Sequence, residues 1–227
     1  SIFDKEGAEV YIADYEHLDV YACRIIVPGM SDIYPAEDLL MANNSMGAHL
    51  RDTLLALPGS EWEPEEYLAL IQRLDDEGLD DFTRVRELLG IASGKDNAWY
   101  TLRIGELKSM LALAGGDLDQ ALIWAEWTQD FNSSVLSPAR SNYYRCLQTL
   151  LLLAQEPERE PAQYYSAFVK MYGQEAVDAA SAAISGEERF NGLFAVDSSL
   201  KALPAHQALL AAYEKLQNAK RRHWAQA

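Results

Sequence analysis

With 227 residues, 49% of them apolar and 24% charged, the chain has the composition of a folded protein with a sizeable core, which excludes an intrinsically disordered segment. Its formal net charge of −16 opposes phosphate backbones and anionic lipid surfaces, so neither nucleic acid nor a membrane is expected as a direct partner. Cys23 and Cys146 lie far apart with no CxxC spacing, no signal peptide is evident, and "LQTLLLLA" is too short to span a bilayer; buried thiols in a reducing compartment, the cytoplasm, are the expectation.

"EVYIADY" (residues 9–15) and "VYACRIIV" (residues 20–27) are rich in β-branched and aromatic residues and are separated by "EHLD", the pattern of two neighbouring strands. Two strands alone are marginal in water, and no third follows. From Pro35 the period becomes helical. Leu39, Leu40, Met46, Leu50, Leu54 and Leu57 predict one helix with a soft centre at Asn43, Asn44 and Gly47, or two helices. Pro64 opens the next helix, with Tyr67, Leu68, Ile71 and Leu74 as its stripe, and a short helix spans Phe82 to Leu89 before Gly90. Ile104, Leu107 and Leu111, then Gly115-Gly116-Asp117, then Ala121, Leu122 and Ala125 predict a helix hairpin with Asp117 as N-cap. Ser137-Pro138 begins a helix with Tyr143, Leu147, Leu150 and Leu151 inward, widened by Leu152 and Leu153 into two buried sides. "AQYYSAFVKMYG" and "QEAVDAASAAIS" read as another pair. Phe190, Leu193, Phe194 and Val196 are expected packing groups, and a last helix runs from Pro204 toward Trp224.

The hairpin at 104–128 resembles a tetratricopeptide repeat, with Gly116-Asp117 at the turn and Ala121 and Ala125 at the small positions of its second helix. It departs from that pattern by one extra residue at Gly115-Gly116 and by Thr128 at the late small position. The fold expected is mainly α, a degenerate tetratricopeptide-like array of antiparallel helix pairs. "EVYIADYEHLDVYACRIIVPGMSDIYP" resembles the closing strands of the YcaO family, whose catalytic domain ends with an Asp-bearing strand, a turn, and a strand ending in Arg, an apolar run and Pro-Gly. Asp14, Arg24, Pro28 and Gly29 match that pattern, while Tyr15-Glu16 replace the Thr that often follows the Asp. The resemblance implies a division at residue 35: residues 1–35 as the last strands of a YcaO domain, a two-stranded remnant of its sheet, and residues 36–227 as the helical domain. It further implies that the chain is the C-terminal portion of a longer ATP- and magnesium-dependent protein that activates amide oxygens. In one branch of the family a tetratricopeptide-like domain follows the catalytic one, and the protein assists methylthiolation of a small-subunit ribosomal protein. Ring-forming relatives end in a Pro-rich tail; "RRHWAQA" is unlike it and favours the accessory role. No ATP or magnesium ligand, and no catalytic residue, is assigned within this chain.

The chain's own motifs offer no chemistry. "GIASGKD" (residues 90–96) is one residue short of a phosphate loop, and Asp96 stands where a Ser or Thr would bind magnesium. Counting Gly78 as the sixth position of a calcium loop puts Arg73 at the first, so Asp75, Asp76, Glu77, Asp80 and Asp81 read as a solvated helix end. His17, His49, His206 and His223 share no metal-ligand spacing, and no Gly-x-Ser-x-Gly turn occurs. Trp99, Trp124 and Trp127 read as core anchors. Tyr100 and Arg103, a turn apart, are the expected groove-facing pair for a partner. Arg221 and Arg222, in a basic helix end, are the alternative docking point for an acidic or ribosomal partner. The expected role is a protein-interaction or self-association module, with a methylthiotransferase or ribosomal protein as partner. An independent enzyme with a site between helices is the competing reading.

Overall fold

The computed structural model describes residues 10–15, 22–27, 47–156, 158 and 161–226, and the chain divides into two compact units, Ser1–Met46 and Gly47–Ala227. In the first, strands β1 (Tyr11–Tyr15) and β2 (Ala22–Ile26) pair antiparallel, with Ala13 opposite Arg24 and Asp14 opposite Cys23. Ile12 and Ile25 are more than half exposed, an uncovered apolar pair of the kind an isolated hairpin leaves open. Pro28, Gly29 and the 36–46 stretch lie outside the described residues.

The second unit is mainly α. Helix α1 (Arg51–Ala56) is flanked by single 3₁₀ turns at Ala48–Leu50 and Leu57–Gly59, where Pro58 ends the regular helix. Helix α2 (Pro64–Asp76) starts from a reciprocal Glu63/Glu66 capping box with Pro64 in the first turn, and buries Tyr67, Leu70, Ile71 and Leu74 at helical spacing. Helix α3 is only Val85–Leu88, shorter than the 82–89 expectation. The preceding backbone is diverted into a bridge between Arg84 and Arg103, with Val85 N donating to Leu102 O and Ile104 N to Thr83 O.

Helix α4 (Ile104–Ala114) is the centre of the unit, and every one of its residues is buried, Glu106 and Lys108 included. It packs against α2, against α5 (Leu118–Trp127) and against α8 (Gln174–Ser185). The Gly-Gly turn works as the sequence implies: Gly116 has φ +73, and Asp117 accepts from Gln120 N at 2.9 Å. Ala121 and Ala125 are fully buried, and Ser109 Oγ reaches Ala121 O at 3.3 Å, so α4 and α5 approach closely. A π-helical turn at Thr128–Asn132 then leads to α6 (Pro138–Ala154), capped by Ser137 accepting from Arg140 N. Helices α6, α7 (Pro161–Tyr172) and α8 pack mutually, with Gly173 at φ +85 making the one-residue link between α7 and α8.

Residues 187–203 carry no helix yet tie distant parts together. Val196 N donates to Leu55 O, Trp99 Nε1 donates to Phe194 O, and Phe190, Leu200 and Leu203 are buried. Two packing expectations need correction: Phe194 contributes its carbonyl while its ring is 38% exposed, and Leu152 is 49% exposed, so α6 buries Leu153 but not both flanking leucines. Helix α9 (Pro204–Gln226) ends the unit. None of the helices among the described residues is long and apolar enough to cross a membrane.

Candidate partner-binding site

Because α4 is buried on all sides, its two charged residues must find partners inside the protein. Glu106, with no exposed surface, accepts from Arg140 Nε at 2.6 Å through one oxygen and from Asn132 Nδ2 at 3.0 Å through the other. Arg140 also donates through Nη1 to Asn191 O at 2.9 Å. Burial works against the guanidinium charge, but the adjacent Glu106 carboxylate more than offsets this, and the Arg140 pKa is raised. Burial likewise lifts the neighbouring Tyr143 and Tyr144 hydroxyls well above their ordinary range, so both remain protonated. Two residues further along α4, on another side of the helix, Lys108 Nζ is held between Asp75 and Asp81, the latter at 2.6 Å, and sits 4.4 Å from the centre of the Trp124 ring. Asp75 and Asp81 are therefore the counterions of a buried lysine, which corrects the reading of this acidic run as a merely solvated helix end.

Arg140 also forms part of the wall of an open cleft of about 1060 Å³, together with Asn97, Tyr100, Tyr143, Tyr172 and Gly192. Each wall has a local cause. Asn97 precedes the 3₁₀ turn Ala98–Tyr100 in extended backbone and makes no side-chain cap. The last turn of α7 is pinned when Asn142 Nδ2 donates to Tyr172 O, and Tyr172 Oη lies 2.8 Å from Thr149 Oγ1. Gly192 has φ +75, and a Cβ there would sit 2.8 Å from Arg140 Nη1, so glycine is what lets the guanidinium lie where it does. Two buried polar atoms of this wall have no hydrogen-bond partner among the described residues: Arg140 Nη2 and Asn97 Oδ1.

The residues singled out by sequence divide between different surroundings. Tyr100 lines the cleft, with the Arg86 guanidinium 4.2 Å from its ring centre. Arg103 is elsewhere: its guanidinium carbon is 5.7 Å from the Phe82 ring centre, and Nη1 donates to Phe131 O. Phe82 in turn packs edge-on against Trp127 and Phe131, whose rings are tilted against each other. Arg221 and Arg222 lie in the last turns of α9. Asp14 and Arg24 occupy the β1 and β2 backbones, with Arg24 exposed. Trp99 is a core anchor at 1% exposure, whereas Trp124 and Trp127 are half-buried.

Asn97, Arg140, Glu106 and Lys108 went unread in the sequence. The available signal was "IGELKSMLALA", whose charges fall within an otherwise apolar helix; their partners, however, come from segments 26 to 34 residues away. Among the described residues no group of three or more His, Cys, Asp and Glu side chains is placed to hold a metal ion. The closely placed carboxylates Asp75 and Asp81 are occupied by Lys108, so the donor set does not fit magnesium.

The architecture defines a mainly α domain of packed helix pairs with an open, tyrosine-walled cleft, and a β-hairpin precedes it in the chain. Residues 47–222 match the YcaO cyclodehydratase C-terminal domain, and the chain belongs to that family. It is 75% identical, over 225 residues, to the ribosomal protein S12 methylthiotransferase accessory factor YcaO of Escherichia coli (strain K12), covering 99% of this chain and 38% of that relative. An uncharacterized protein of Haemophilus influenzae is 54% identical over 225 residues, again across 99% of this chain and 38% of the relative. The chain thus spans well under half the length of the curated relatives it matches.

Proposed function

We propose that this chain is the protein-interaction and assembly domain of a YcaO-type protein that serves as an accessory factor in methylthiolation of a small-subunit ribosomal protein. The observation that carries the reading is the 75% identity across 99% of the chain to a relative named as such a factor. Consecutive helix pairs, α4–α5 and α7–α8, with alanines at the close approach of α5 to α4, support a degenerate tetratricopeptide-like array. ATP and magnesium chemistry is assigned to the remaining length of the longer relatives, in a cytoplasmic setting, and the partner is the methylthiotransferase, the ribosomal protein or a second copy. Titration calorimetry of the chain against S12 and against the methylthiotransferase, with sedimentation velocity on the chain alone, tests this. Saturable binding or concentration-dependent self-association is expected; no heat with either protein and a monomer at all concentrations would refute it.

A second reading has its own observation. Leu209, Leu210 and Tyr213 on α9 are 43%, 48% and 58% exposed, on the helix whose later turns carry Arg221 and Arg222. This combination suits docking of an acidic partner, and reversing both arginines to glutamate is expected to weaken binding; unchanged affinity removes the reading.

A further inference from the structure

The orphaned donor and acceptor in the cleft wall say what chemistry belongs there. Arg140 carries its charge on a guanidinium already matched by Glu106, which has no exposed surface. An anionic ligand at Nη2 would therefore be opposed by a buried carboxylate on the same guanidinium, whereas a neutral carbonyl oxygen would not. Asn97 supplies the complementary need, an acceptor without a donor. A peptide group offers a carbonyl and an N–H together, and it suits the Asn97 amide turned either way.

The surroundings suit an extended chain. The cleft is open and about 1060 Å³, at the top of the size range of ligand pockets, and Tyr100, Tyr143 and Tyr172 line it with aromatic surface for side chains. Among the exposed charges lining it, Asp96 and Glu175 outnumber Lys95, on a chain of net charge −16, so the field favours basic and disfavours acidic flanks.

We infer that this cleft binds an extended peptide segment of a basic protein partner, with backbone amides of the peptide pairing with Arg140 Nη2 and Asn97 Oδ1. This rests on the partner-binding role proposed above and names where and by what chemistry that role is exercised.

The test is a selection of random linear dodecapeptides displayed on phage against the whole chain, counter-selected against Ala139→Trp. Ala139 lines the cleft and is exposed, so the indole fills the cleft without entering the core; unchanged urea midpoints confirm that the variants fold. Enriched peptides, synthesised with blocked ends and followed by fluorescence anisotropy, are expected to carry Lys or Arg at their flanks. They should bind at least about tenfold more weakly to Asn97→Leu and keep their affinity for Asn97→Asp, which retains an acceptor. Failure to obtain any peptide that distinguishes the chain from Ala139→Trp overturns the proposal, as do enriched peptides with acidic flanks or indifference to Asn97→Leu. Should those results occur while the intact protein partner still binds the chain, the cleft assignment fails and the interaction role stands. Loss of both would remove the role as well.

Discussion

Replacing Arg140 by Met removes the cation paired with Glu106 among the described residues, a carboxylate with no exposed surface that still accepts from Asn132 Nδ2. Removing one partner of a buried ion pair costs about 3–5 kcal/mol, because an uncompensated charge remains in a medium that cannot solvate it. Glu106→Leu strands the Arg140 guanidinium in the same way. The double variant strands neither charge, though it leaves the amide of Asn132 and the carbonyl of Asn191 short of a partner, at about 1–3 kcal/mol for each buried group. The double-variant loss should therefore fall short of the summed single losses by about 3 kcal/mol. Against a stability on the order of 10 kcal/mol, a loss of about 4 kcal/mol in either single variant lowers Tm by about 8–16 °C. Urea unfolding followed by far-UV circular dichroism supplies all four corners of the cycle, with unchanged m-values certifying that only stability moved. A cost below about 1 kcal/mol for Arg140→Met, or additive single and double variants, would refute the claim that this pair is a buried, mutually dependent unit.

Gly105→Ala should destabilise, although alanine is the better helix former by about 1 kcal/mol. A Cβ there would lie 2.5 Å from the Trp127 ring, and the strain of overpacking, about 1–3 kcal/mol, wins; urea midpoints and a shift in tryptophan emission are the readouts. The two thiols should behave differently: Cys146 is buried as expected, but Cys23 is exposed, on a two-stranded pair in which Ile25 is exposed as well, which corrects the expectation of two buried thiols. A thiol-disulfide reagent at pH 8 is expected to modify one cysteine in the native chain and two after unfolding. Burial pushes the Cys146 thiol up from 9.0 to about 11, so the native state holds that proton more tightly than the unfolded chain. Its contribution is complete below pH 9 and is lost as the pH rises toward about 11, in the same direction as the buried Tyr143 and Tyr144. Chemical denaturation at stepped pH should show stability falling from pH 9 upward, with a smaller fall for Cys146→Ala.

Local signals in this chain read true where the residue needed only its neighbours. Ser137 before Pro138, Asp117 after the Gly-Gly turn, Gly90 at φ +63 and the Tyr67-Ile71-Leu74 stripe each depend on contacts within a few residues, and each stands as the sequence implies. What escaped is set by distant contacts. Helix α3 lost its first turn to a bridge with Arg103, and Phe194 turned its carbonyl inward to Trp99 while leaving the ring outside. The same holds for the site. Tyr100, singled out by sequence, lines the cleft, but nothing in the local pattern could place Arg140 beside Glu106, thirty-four residues apart, or leave Nη2 of that arginine without an acceptor among the described residues. Acidic residues 75–81 looked like a solvated run because their cation, Lys108, sits in what reads as an ordinary helix. Partners of buried charges are a property of topology, which hydrophobic periodicity does not encode.

The proposed role of this chain is binding, with nucleotide turnover assigned to the remaining length of its longer relatives. It is tested most directly by assaying phosphate release from ATP in excess magnesium on the same preparation whose binding to S12 and to the methylthiotransferase has been measured. Saturable binding is expected, with phosphate release at the background rate before and after the partner is added. Turnover that scales with the concentration of this chain and disappears on heat denaturation would contradict it.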